Sequence, residues 1–101
     1  FDNWDLITNL APRTFPKGYS LELVRASTFC ERNFIDGNDE VLEHVTAPFY
    51  SDKTRYNLIN ISTSQLFYNE YAVDTEADYR RLRGILPEQV DYKILRAKYV
   101  K

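Results

Sequence analysis

Arg55-Tyr56-Asn57-Leu58-Ile59-Asn60-Ile61-Ser62-Thr63 is the strongest strand signal in the chain, with β-branched residues near its centre and end. Toward the C-terminus a loop follows, and Tyr71-Ala72-Val73 reads as another short strand. It runs directly into Asp74-Thr75-Glu76-Ala77-Asp78, where Thr75 and Asp78 have capping-box spacing. Tyr79, Leu82, Ile85 and Leu86 then recur at helical spacing. Toward the N-terminus, Asp39 can cap a helix carrying Val41, Leu42, Val45 and Phe49 on one face, with Pro48 limiting its extent. Before it, Asn33 to Asn38 reads as a loop turning at Asp36-Gly37. Ser27 or Thr28 can cap a short helix, and Thr28 with Glu31 repeats the capping-box spacing.

The N-terminal end supplies two more strands, residues 4–10 and 19–26. They are separated by Ala11-Pro12-Arg13-Thr14-Phe15-Pro16-Lys17-Gly18. Two prolines without amide donors, and a glycine free to turn sharply, make that stretch an irregular loop. The order is strand, loop, strand, helix, helix, strand, strand, helix, an α/β arrangement. Residues 87–101 are ambiguous. Val90 and Ile94 are four apart, as in a helix, while Val90, Tyr92 and Ile94 also alternate. The reading favours a helical C-terminal extension.

Composition excludes several classes. Thirteen basic against 15 acidic residues give a net charge of −2, which is no electrostatic footprint for nucleic acid or an anionic membrane. No apolar run approaches the ~20 residues that span a bilayer, and no signal peptide is visible. A single cysteine builds no internal disulfide framework, so a reducing, cytoplasmic setting is expected. The aromatics, 15% of the chain, are not interleaved with Lys and Arg, which suits core and interface mass better than base stacking. The chain starts at Phe1 and has no methionine, which suggests a piece of a longer product.

No glycine-rich phosphate loop is present, and one Cys and one His cannot make a tetrahedral zinc site. Cys30 falls on a helix among apolar neighbours and reads as a buried, inert thiol. Asp74, between strand and helix, stands where open α/β sheets place ligands and could share Mg²⁺ with substrate phosphates. The plainer reading of composition and spacing is that it merely helps cap the helix. In the proline loop, Arg13, Thr14 and Lys17 offer a planar fork, a hydroxyl and an ammonium for a carboxylate or hydroxylated ligand, or a plain solvated surface. Glu22, on the next strand, could accept from sugar hydroxyls. His44 beside Glu43 could be an acid–base pair, a ligand contact or a structural histidine. Adjacent helical residues do not face each other, so cooperation is not implied.

Five segments in order resemble the cytidylyltransferase family, especially its spore-coat polysaccharide type. They are Asp5-Leu6-Ile7-Thr8-Asn9-Leu10, Pro12-Arg13-Thr14-Phe15-Pro16-Lys17-Gly18, Leu21-Glu22-Leu23, Glu43-His44-Val45-Thr46 and Tyr71-Ala72-Val73-Asp74-Thr75-Glu76-Ala77-Asp78. The resemblance covers residues 2 to about 86 and matches the C-terminal half of that family. It implies a partial Rossmann-like, nucleotide-sugar-transferase sheet with flanking helices, residues 1–86 forming the acceptor-side half and 87–101 an extension. It also implies transfer of CMP from CTP to a sugar or sugar acid with release of pyrophosphate, assisted by Mg²⁺. By the same resemblance Asp74 binds the metal, while Arg13, Lys17, Glu22 and His44 face the acceptor.

The chain departs from the family pattern in places. Leu42 stands where Arg is common, Ala47 intervenes before Pro48, and Tyr71 replaces Trp or Phe. The family's Gly-Ser-x-Arg-x-Pro-x-Lys loop and Asp-Cys-Pro element have no counterpart in this sequence. The implied partners are therefore CTP, a sugar acceptor, and either the N-terminal half or a second copy of the chain. The alternative is a non-catalytic binding or assembly module that keeps the sheet.

Overall fold

The computed structural model describes residues 2–31, 43–52 and 54–100. Its elements are β1 (Leu6–Thr8), β2 (Glu22–Val24), α1 (Ala26–Phe29), α2 (Ala47–Ser51), β3 (Leu58–Thr63), α3 (Glu76–Leu82), a 3₁₀ turn (Tyr92–Ile94) and β4 (Leu95–Tyr99). The four strands form one mixed sheet in the order β2-β1-β3-β4. β1 and β3 run parallel at its centre, and β2 and β4 pair antiparallel at its edges. The result is an α/β fold built on a mixed sheet.

The register explains the core. Leu6 lies beside Val24 on one side and Leu58 on the other, so the alternation of three strands puts one apolar row on one face. Phe49 of α2 and Tyr56 close over that row, their rings meeting edge to face at 5.1 Å. Leu6, Phe49 and Leu58 are essentially without solvent contact. Ile59, on the opposite face, is equally buried, as a central strand flanked by a parallel neighbour requires. At the N-terminal end of β1, Asp5 ties three segments together. Its carboxylate accepts from Thr28 Oγ1 at 2.7 Å and from the Asn57 amide at 2.8 Å.

Several sequence expectations need correction. Residues 71–73 pair with no strand among the described residues; Tyr71 instead bonds the proline loop through its amide. The C-terminal segment is not helical: after one 3₁₀ turn, residues 95–99 add to the free edge of β3, where ladder bonds outweigh a weak helical period. Thr28 does not cap α1, because it lies inside that helix, where its hydroxyl donates to Asp5; Arg25 holds the cap position without a side-chain cap bond. Cys30 is exposed. Pro48 sits in the first turn of α2, where its missing N–H costs nothing, so it opens that helix and does not limit it. Of the apolar face expected there, Phe49 is buried and Val45 is half exposed, while Val41 and Leu42 lie outside the described residues. The Asp39 cap and the Asp36-Gly37 turn also lie outside them.

α3 forms where its cap predicts. Thr75 Oγ1 accepts from the Asp78 amide at 3.1 Å, and Asp78 Oδ2 accepts from the Thr75 amide at 3.0 Å. The helix stops after Leu82, short of the helical spacing that reaches Leu86, and Gly84 turns with φ +80°. No residue of α3 is buried, and Leu86 is 87% exposed, so the helical spacing marks no core face. A helix this short without packing depends on its cap. Thr75→Ala should cost about 0.5–2 kcal/mol of helix stability, read as faster amide exchange across residues 76–82.

The Asp78 carboxyl is held below its ordinary value of 3.8, first by the Asp74 amide, then by the Thr75 hydroxyl. A depressed folded value means stability that is present above the ordinary Asp range and lost as pH falls through the lowered value. Fraying of α3 should therefore increase in acid, and Asp78→Ala should remove that component of the pH dependence.

Candidate functional site

Two buried asparagines build the site. Asn9, just past β1, donates from Nδ2 to the Tyr19 carbonyl and accepts from the Leu21 amide at 2.9 Å, closing the proline loop at its base. Asn60, in the middle of β3, accepts from the Ala11 amide at 2.9 Å and donates to the Pro12 carbonyl at 3.1 Å. Thr14 Oγ1 accepts from the Thr63 amide at 3.0 Å. Residues 9–21 are thus fastened across the carboxyl ends of β1 and β3, the edge at which open α/β sheets bind ligands.

The far end of the loop is held by residues 67–72. The Tyr71 amide donates to the Lys17 carbonyl at 2.6 Å. Tyr19 stacks on Tyr71 at 4.8 Å, while Phe67 meets both Tyr19 and Phe15. The Glu88 carboxylate receives the Tyr71 hydroxyl and the Tyr68 and Asn69 amides, which hold it below the usual carboxylate range, the Tyr71 bond most strongly. Burial, followed by the nearby Tyr71 and Glu88, raises the Tyr19 phenol, which donates to the Glu88 carbonyl at 2.6 Å. Aromatic mass here buttresses the loop.

Glu22 is the best-defined candidate side chain. Its two oxygens accept from Thr46 Oγ1 at 3.2 Å and from the Tyr50 hydroxyl at 2.5 Å. Tyr50 also meets the buried Thr8 hydroxyl at 2.9 Å, and Thr8 accepts from the Leu10 amide. Burial, and then the bond to Glu22, push the Tyr50 phenol far above its usual range, so Tyr50 stays a proton donor. Glu22 is consequently an oriented, exposed acceptor with lone pairs left for ligand hydroxyls.

Arg13 and Thr14 line a cavity of about 390 Å³ whose other wall includes Phe67, Asn69 and Glu70. Arg13 Nη1 also donates to Ser20 Oγ at 3.2 Å. The Lys17 ammonium forms no ion pair among the described residues and stands exposed on the same loop. His44 is 71% exposed and reaches Glu43 only at 4.0 Å, so the two make no tight pair. The His44 carbonyl accepts from the Ala47 amide in the turn that carries Thr46, and its ring bonds no other candidate residue among the described residues. Asp74 is exposed, its amide rather than its carboxylate serves the α3 cap, and it does not end a strand as expected.

Among the described residues no group of three or more His, Cys, Asp or Glu could hold a metal ion. The donor chemistry at Asp74 is one exposed carboxylate without a hydrogen-bond partner among those residues. That fits a Mg²⁺ ion carried largely by nucleotide phosphates and water, and does not fit a protein-only cage. Asn9, Asn60 and Tyr50 went unnoticed in the sequence. The available signal was Asn60 itself, a polar residue between Ile59 and Ile61 in a buried strand, which must find partners.

No protein-family profile, curated protein or solved structure matches this chain.

Proposed function

We propose that the chain is the acceptor-side part of a cytidylyltransferase that moves CMP from CTP onto a sugar or sugar acid for surface polysaccharide. On this reading its sheet belongs to a Rossmann-like nucleotide-sugar-transferase domain, working in the cytoplasm. One observation carries the proposal: motif segments far apart in sequence touch one another. Thr46 of the Glu-His-Val-Thr segment bonds Glu22, and Tyr71 of the Val-Asp-Thr segment bonds the carbonyl of Lys17. The contacts lie at the carboxyl edge of the parallel pair, where an acceptor would be bound.

Each residue then has a task. Arg13 clamps an acceptor carboxylate with its planar fork, and Lys17 adds a mobile point charge. Glu22, aimed by Tyr50 and Thr46, accepts from acceptor hydroxyls, and His44, two residues before Thr46, would face the same acceptor. Asp74 would hold Mg²⁺ together with the nucleotide phosphates. The ion would offset phosphate charge as pyrophosphate leaves. The CTP-binding residues would come from sequence beyond these 101 residues or from a second chain.

The test is Mg²⁺-dependent pyrophosphate release from CTP by the product of the complete gene, across a panel of neutral sugars and sugar acids. Acceptor-dependent release is expected. Glu22→Gln should cut kcat/KM about 10- to 100-fold, the loss of a hydrogen bond to a charged group. The 101-residue chain alone should release none. Robust turnover by that chain, or none by the complete product with any acceptor, would sink the proposal and favour a binding or assembly module.

A further inference from the structure

The face of the sheet that carries Leu58 changes character two residues further along β3. Asn60 and Ser62 follow on that face, and the register sets Lys98 directly beside Asn60 and Arg96 beside Ser62. The grid holds two amide or hydroxyl side chains and two cations, with no carboxylate. Beside it, along the β4 edge, lies a cavity of about 700 Å³ whose lining includes Asn60, Lys98 and Val100 together with Ala97 and Tyr99 of β4, and Ala11 and Pro12 of the proline loop. That volume is within the range of small-molecule sites.

Three features of the cavity point to an anion. Asn60 is buried and engages one N–H with Pro12 and its oxygen with Ala11, which leaves its second N–H uncommitted among the described residues. Neither Lys98 nor Arg96 forms an ion pair among those residues. In a chain of net charge −2, residues 92–100 carry Lys93, Arg96 and Lys98 and no acid, so positive charge is concentrated on this strand. Pro12, Ala11 and Val100 give the cavity an apolar wall.

We propose that this cavity binds a small molecule through a phosphate or carboxylate group. The Lys98 ammonium and the second Asn60 N–H hold the oxyanion, Arg96 adds charge from the next row, and the ligand body lies against Pro12 and Val100. None of Arg13, Lys17, Glu22, His44 or Asp74 lines the cavity, which shares only Asn60 and the base of the proline loop with the acceptor region and does not rest on the nucleotidyl-transfer reading.

The test is an amide NMR titration of the full chain with inorganic phosphate and, separately, acetate, at constant ionic strength against chloride. Saturable shifts at the Asn60 side-chain amide and the Lys98 backbone are expected. Saturation by phosphate alone identifies a phosphorylated ligand, and by acetate alone a carboxylic acid. The Lys98→Gln/Arg96→Gln double variant should weaken binding at least tenfold with an unchanged unfolding midpoint, and Lys98→Gln alone should weaken it about fivefold. Both residues are exposed on an edge strand, and the single variant serves if the double one folds poorly. Shifts that never saturate, shifts unaltered in both variants, or binding abolished by Arg13→Gln would overturn the proposal.

Discussion

Replacing Phe49 by Ala should lower the unfolding free energy by about 3–5 kcal/mol, read from urea denaturation. Phe49 comes from a helix of five residues, has no solvent contact, and fills the space over Leu6, Leu58 and Tyr56. A helix that short has little stability of its own, so its place on the sheet depends on this ring and on the bonds of the Tyr50 hydroxyl to Thr8 and Glu22. Removing the ring leaves a void that Leu6, Leu58 and Tyr56 cannot collapse into, because the first two belong to hydrogen-bonded strands. Against a total stability of about 5–15 kcal/mol for a small domain, the loss is large. It should also reach Glu22, since Tyr50, the next residue, supplies one of that carboxylate's two bonds. Phe49→Leu should cost clearly less; equal losses would mean the ring's volume is not what matters.

Gly18→Ala should be the most damaging change in the proline loop, at about 2–5 kcal/mol. Its φ of +98° lies in the region that L side chains avoid. A methyl group there would also stand 2.6 Å from the Ala72 nitrogen and 2.7 Å from the Tyr71 oxygen, both backbone atoms that cannot rotate away. The chain at 71–72 must therefore move, breaking the bond from Tyr71 to Lys17 and unstacking Tyr19 from Tyr71. Gly84→Ala is the control. Gly84 has a similar φ of +80° but nothing within 4 Å of the added carbon, so it bears the conformational strain alone, about 1–2 kcal/mol. If the two variants lose equal stability, the close approach at Gly18 contributes nothing. If Gly18→Ala loses more, and the Lys17 and Tyr71 amide signals shift with it, the approach is what holds the loop.

Local features were the legible ones. The capping box at Thr75 and Asp78 was read from spacing alone because both partners lie within one turn. The strand expected over 55–63 was likewise read from the β-branched residues near its centre and end, and it forms over 58–63. The cap proposed for Thr28 had the same spacing and failed, because the helix already begins at Ala26 and Thr28 sits within it, its hydroxyl donating to Asp5, 23 residues away. Residues 71–73 have strand composition, but Tyr71 bonds the proline loop instead. The segment after Pro87 carries two competing periods, and what decides between them is the open edge of β3.

The candidate site divides in the same way. Arg13, Lys17, Glu22 and Asp74 could be picked out by side-chain chemistry, and Glu22 and the proline loop do meet partners from other motif segments. Asp74 meets none through its carboxylate among the described residues. The asparagines that fix the loop drew no role from the sequence, since an Asn in a strand reads locally as a weak strand former and only the burial of that strand makes partners obligatory.

By itself the sequence determined the α/β class, the central strand, the irregular proline loop and the capped third helix, because each rests on contacts or dihedral limits within a few residues. The tertiary structure decided the parallel pairing of β1 with β3, the strand at the C-terminus, and the meeting of Glu22 with Tyr50 and Thr46. Those depend on which distant groups compete successfully for one buried donor, one acceptor or one open sheet edge, and that competition has no local signature.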